Sequence, residues 1–197
     1  MTSVNRTRPL RADAQRNRDK VLAAAVEGFA AGGPEVPLES IAKRAGVGIG
    51  TLYRHFPTRD ALVLEAYGHE VEQLCAAAAV LLAADPPDLA LREWMDRFVA
   101  YVAAKRGMSD ALRAVAEPKT DFYAGTRESI VAALDSLLRA GAGAGVIRSD
   151  VPAEDLYQAM SGVWSISAEA GWRDQAGRLL DLLMDGLRFG AEGRGAR

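Results

Sequence analysis

Between Lys43 and Arg59 the chain concentrates side chains that donate hydrogen bonds or carry positive charge: Lys43, Arg44, Thr51, Tyr53, Arg54, His55, Thr58 and Arg59. Such groups suit the holding of an anionic, hydrogen-bonding surface better than the breaking of bonds. Catalysis needs an acid–base or nucleophile pair in register, and the remaining sequence offers poor candidates. His69 lies near Glu65, Glu70 and Glu72 but completes no metal-binding pattern. Cys75, the sole cysteine, has no histidine beside it and precedes an alanine run, which fits an inert thiol. The sequence therefore predicts no enzyme, no metal site and no cofactor.

Two short helical patterns position the donors, within LESIAKRAGVGIGTLYRHF, residues 38–56. Leu38, Ile41, Ala42 and Ala45 recur at i, i+3, i+4 and i+7, so the first helix has one apolar face, with Glu39, Lys43 and Arg44 on its wet side. Gly46 supplies the positive φ that lets a chain leave a helix abruptly. Val47, Leu52 and Phe56 are expected to look inward, which leaves Ile49, Gly50, Thr51, Tyr53, Arg54 and His55 as the outward or end-on surface. A helix of two turns is unstable alone and must be held by neighbours. This is the pattern of a helix-turn-helix.

The run AKRAGVGIGTLYRHFPTRDAL resembles the signature of TetR-family transcriptional regulators. The resemblance spans roughly residues 15–65 and implies a third, upstream helix that completes a three-helix DNA-binding domain. More loosely, the order GMSDALRA, ALDSLLRAG, GVIRSDVPAEDL and LLDLLMDGLR is similar to a common C-terminal regulatory domain of such proteins. Gly48 departs from the pattern, because that position usually carries a serine or threonine cap. The resemblance implies phosphate contacts from Tyr53 and His55, with Lys43, Arg44, Thr58 and Arg59 beside them. Base readout then falls to Gly48, Ile49, Gly50 and Thr51, through contact with thymine methyl groups and the Thr51 hydroxyl. Arg54 either enters the groove as a bidentate reader or binds phosphate, and Gly50 permits close approach.

Charge distribution agrees. The formal net charge is −2, yet residues 1–60 hold ten Lys/Arg against six Asp/Glu, and residues 61–197 hold fourteen against twenty. Only the front half is suited to phosphate. The sequence shows no apolar signal segment and no stretch of transmembrane length, the longest approach being the fourteen residues VEQLCAAAAVLLAA. A soluble, cytoplasmic chain without a membrane partner is expected.

The whole reads as all-α. Residues 1–12 form a flexible basic arm, with Pro9 interrupting any helix; residues 13–58 form the helix-turn-helix domain; residues 59–190 form a helical ligand-binding and dimerisation domain; residues 191–197 are a tail. Helices are expected near 13–31, 38–45, 49–55, 58–83, 88–105, 109–117, 126–140, 153–168 and 174–189. The glycines of GAGAGVIRSD mark a turn and not a nucleotide fingerprint, since no strand precedes them.

Trp94, Phe98, Tyr101, Met108, Leu112, Phe122, Tyr123, Met160 and Trp164 are either ordinary core or the lining of a cavity for a small, largely apolar molecule. Family resemblance implies that such a ligand releases the DNA. Modest discrimination per half-site argues for a homodimer on a roughly palindromic site of double-stranded DNA. Gly162, Val163, Leu179, Leu183, Gly186 and Leu187 are the expected interface, unless that stripe belongs to the monomer core. The reading is thus a ligand-responsive transcriptional repressor, with a helical small-molecule sensor or protein-interaction module lacking operator binding as its rival.

Overall fold

The computed structural model describes residues 7–116, 120–167 and 169–190, with side chains described for 13–115, 125–167 and 169–190. The described residues hold nine α-helices and no strand: α1 (Thr7–Gly32), α2 (Leu38–Ala45), α3 (Ile49–His55), α4 (Arg59–Ala84), α5 (Pro87–Gly107), α6 (Ser109–Ala116), α7 (Thr120–Gly143), α8 (Ala153–Met160) and α9 (Trp172–Arg188). The fold is all-α, with an N-terminal helix-turn-helix and a C-terminal helical bundle.

The chain forms two compact units. The first comprises residues 1–69 and 104–118, the second residues 70–103 and 119–197. This differs from a single cut after residue 58. The last turn of α5 and all of α6 belong with the helix-turn-helix, and α4 and α5 each contribute to both units.

In the first unit, α1 presents Val21, Leu22, Ala25 and Phe29, each with no exposed surface, to the buried faces of α2 and α3. Side chains at this depth dominate the unit's stability, and truncating Phe29 to alanine is expected to cost about 3–5 kcal/mol. Helix α1 starts at Thr7 and not at Asp13, which corrects the expected break at Pro9. Proline is tolerated there because the first turn of a helix has no intrahelical use for its N–H groups. The side chains of residues 1–12, and the tail from 191, lie outside the described residues.

In the second unit, Trp94, Met95 and Phe98 of α5 are buried, and the Trp94 indole donates to the Leu74 carbonyl of α4 at 2.8 Å. Helix α7 runs past Ala140 into Gly143, because the Gly141 carbonyl accepts from the N–H groups of Val146 and Ile147 and so ends the helix within the glycine-rich stretch. Helix α8 stops at Met160 instead of reaching Ala168. A 3-10 turn, Ser161–Ser165, follows it, and Ile166 is extended. The Ser161 hydroxyl donates to the Tyr157 carbonyl at 2.8 Å, a back-bond that competes with regular helix.

Candidate nucleic-acid interface

Helix α2 buries Leu38, Ile41, Ala42 and Ala45, the stripe expected from its spacing. Gly46 ends it with φ 69° and ψ 31°, its N–H donating to Lys43, while the Val47 N–H reaches the Ala42 carbonyl at 3.0 Å. A side chain at Gly46 would be strained, so this turn requires glycine. The reversal sends α3 off with Leu52 and Phe56 buried. The opposite side of α3 therefore faces outward: Tyr53 is 46% exposed, Gly50 and Arg54 are exposed, and Ile49, Thr51 and His55 are partly exposed. The His55 ring centroid lies 6.1 Å from that of Phe56, so the imidazole leans on the small core while keeping an open edge.

The helix caps are asymmetric. Neither Pro37 before α2 nor Gly48 before α3 offers a side-chain cap. The Gly48 carbonyl accepts from Thr51 and Leu52 to start the helix. Thr58 does cap α4, its hydroxyl oxygen accepting from the Ala61 N–H at 3.1 Å, with Asp60 in the first turn favourable to the helix dipole.

The basic residues divide into free and engaged. Lys43 and Arg54 are exposed with no ion pair among those described, whereas Arg44 pairs with Glu27 of α1 at 3.2 Å. Arg59 is engaged within the first unit. Its guanidinium donates to the Pro34 carbonyl at 2.7 Å and lies 6.0 Å from the centre of the Phe29 ring, so it tethers the start of α4 to the loop after α1. Arg18, unnoticed in the sequence, covers the Phe56 ring at 5.7 Å and pairs with Glu65 of α4. Its place on α1 next to Asp19 and Lys20 looks like an ordinary wet face, so no local signal marks it.

In the second unit an unbroken series of ring contacts links three elements. Trp94 stacks on Phe98 (6.2 Å), Phe98 meets Tyr101 (5.8 Å), and Tyr101 meets Trp164 of the 3-10 turn edge-on (6.3 Å). Tyr157 of α8 adds an edge contact to Phe98 at 6.3 Å. Tyr157 was missed in the sequence, although Tyr157, Met160 and Trp164 follow helical spacing. Met160 is buried here, while Met108 and Leu112 are buried in the first unit. The side chains of Phe122 and Tyr123 lie outside the described residues.

Helix α9 has two apolar sides. Ala176, Leu180, Met184 and Leu187 are buried. Leu179 (40% exposed), Leu182 (68%) and Gly186 lie on the other side, with Leu183 at the border. Of the expected interface residues, Leu187 and Val163 are thus buried within the chain, while Gly162 is exposed. Leu182 takes the place of Leu187 in the outward stripe.

Among the described residues no group of three His, Cys, Asp or Glu could hold a metal ion, and no helix is long and apolar enough to cross a membrane. Burial raises the Cys75 thiol pKa, which disfavours the thiolate a nucleophile would need.

Comparison with known proteins agrees with this geometry. Residues 21–66 match the family model of bacterial regulatory proteins of the tetR family, and residues 86–189 match the C-terminal domain of SbtR-like transcriptional regulators. The chain is similar to the crystal structure of the TetR transcriptional regulator SCO0520 from Streptomyces coelicolor, at 51% identity and a TM-score of 0.82 over 87% of this chain and 98% of that one. It is also similar to a TetR regulatory protein from Mycobacterium vanbaalenii, at 39% identity and a TM-score of 0.73 over 91% of this chain and 99% of that one. The transcriptional repressor KstR of Mycolicibacterium smegmatis shares 42% identity over 69 residues, a stretch that spans 34% of each protein.

Proposed function

Because this chain belongs to the TetR family of transcriptional regulators, a family of DNA-binding proteins and not of enzymes, we propose that it is a repressor that holds a roughly palindromic operator as a homodimer and releases it when a small, largely apolar molecule binds. The observation that carries the reading is the α2–Gly46–α3 turn. By burying Leu52 and Phe56 it leaves Tyr53 and Arg54 on the open side of a short helix of the size the major groove admits. Tyr53, His55 and Lys43 supply phosphate contacts, Ile49, Gly50 and Thr51 face base edges, and Arg54 serves one or the other. None of the base-facing residues is a strong bidentate reader, so two copies must share the work. A two-fold axis would set their recognition helices about 34–36 Å apart.

The outward stripe of α9, Leu179, Leu182 and Gly186, favours the dimer, since exposed leucines beside a glycine allow close helix packing. The ring series from Trp94 to Trp164 favours an apolar or aromatic ligand. Induction requires that the ligand bind the released conformation more tightly than the DNA-bound one.

Selection of random duplex DNA with the purified chain, at low and moderate salt, tests the reading. A two-fold-related site should be enriched. Enrichment of no such site would instead favour the helical sensor without operator binding, for which the uncapped start of α3 speaks. A screen of small molecules for release of the enriched DNA then tests the ligand response.

A further inference from the structure

Helix α3 is poorly secured by its own residues. It is seven residues long, its start has no side-chain cap, and within it only Leu52 is buried. Its second anchor is Phe56, the residue that ends it. The Phe56 N–H donates to the Leu52 carbonyl at 2.8 Å, and the residue is buried. The tilt of α3, and with it the direction of Tyr53 and His55, therefore follows the place at which the Phe56 ring is held.

One guanidinium covers that ring. Arg18 of α1 lies 5.7 Å from the centre of the Phe56 ring, and it donates to the carboxylate of Glu65 on α4. A single side chain thus joins α1, the end of α3 and α4. Arg16, two residues earlier, pairs instead with Asp13 of its own helix, and both are well exposed. An exposed ion pair contributes little to folding. What the Arg18–Glu65 pair supplies is direction, since it holds a flat cation against one aromatic ring.

Resting on the DNA-binding reading above, we propose that Arg18 and Glu65 are positioning residues for DNA recognition. Glu65 orients the Arg18 guanidinium, the guanidinium seats Phe56, and Phe56 sets the angle at which α3 meets a duplex. Neither side chain touches DNA in this role. The sign of one effect follows. A carboxylate on a DNA-binding domain ordinarily opposes binding, so neutralising it strengthens affinity. Neutralising Glu65 does the reverse, because the guanidinium it orients is then free to leave the ring.

The test uses the full chain and the duplex site that the wild type enriches. Glu65→Gln, Arg18→Gln, the double variant and Asp13→Asn as a charge control are titrated against that site and against unrelated duplex over a range of salt, with thermal unfolding alongside. The Glu65 side chain is 51% exposed, so Glu65→Gln keeps the fold and its effect on binding decides the matter. Glu65→Gln and Arg18→Gln should each weaken binding to the site by roughly fivefold or more, within the range of coupling between residues in contact, and the double variant should be no weaker than Arg18→Gln alone. Binding to unrelated duplex and the salt slope at the site should stay as in wild type. Asp13→Asn should bind the site as tightly as wild type or more tightly. A Glu65→Gln chain that behaves like this control would overturn the proposal while leaving the DNA-binding reading intact. So would a fall of about one in the salt slope for Arg18→Gln, which would make Arg18 a phosphate contact. A wild-type chain that enriches no site would overturn both.

Discussion

Arg59 donates to the Pro34 carbonyl at 2.7 Å, linking the first turn of α4 to the loop that follows α1. The same guanidinium sits over Phe29, which has no exposed surface. Both contacts of this side chain are internal to the first unit. Arg59→Ala should therefore lower the unfolding free energy by about 2–4 kcal/mol, the sum expected for a charge-assisted hydrogen bond and a partly exposed cation–π contact. Urea unfolding measures this. The salt dependence of operator binding should keep its slope, whereas loss of a phosphate contact would reduce it by about one.

Gly107, at the end of α5, faces Ala30 of α1 so closely that an added Cβ would lie 2.5 Å from the Ala30 Cβ and 3.0 Å from its Cα. One of those atoms is backbone, so the clash cannot be relieved by a rotamer change. Gly107→Ala should destabilise the first unit by about 1–3 kcal/mol, the usual cost of overpacking. Ala30→Gly in the same chain should recover part of that loss. A double-mutant cycle measured by thermal or urea unfolding would show the coupling, and additive effects would refute it.

The helix-turn-helix was legible because it is local. Leu38, Ile41, Ala42, Ala45, Gly46 and Leu52 declare their roles by spacing alone, and each occupies the place that spacing implies. What stayed hidden depends on partners far along the chain. Arg59 looks like a free cation until Pro34 is seen beside it, and Gly107 looks like a helix stop until Ala30 is found against it. On α9 leucines at 179, 180, 182, 183 and 187 cover so much of the helix that periodicity cannot say which are inward, hence the exchange of Leu187 for Leu182. The break of α8 at Ser161 is likewise silent, since the 3-10 turn continues nearly the same spacing of apolar residues.

Tyr53 is 46% exposed on the open side of α3, next to exposed Arg54. A hydroxyl so placed adds little to the fold. Tyr53→Phe should leave the unfolding temperature within about a degree, in keeping with the near-neutrality of most surface changes, and weaken operator binding by roughly 1 kcal/mol, about fivefold. Titration of labelled operator with wild type and variant, alongside thermal unfolding, separates the two effects. Equal affinity would remove the hydroxyl from the interface.

Cys75 lies partly buried on α4, and burial raises its thiol pKa because the thiolate loses hydration there. The sign of the linkage follows. With the folded-state pKa above the unfolded one, the folded chain holds its proton more tightly, so the thiol's contribution to stability is fully present below the unfolded pKa of about 8.5 and is lost as pH rises through the folded pKa. Two measurements check it. The rate of alkylation by iodoacetamide in the folded chain should have its midpoint above about 8.5, whereas the urea-unfolded chain should show the ordinary thiol value. Cys75→Ser should fall off less steeply in stability than wild type at alkaline pH, because a hydroxyl does not titrate there. An alkylation midpoint at or below the unfolded value would reverse the assignment and reopen Cys75 as a reactive thiol.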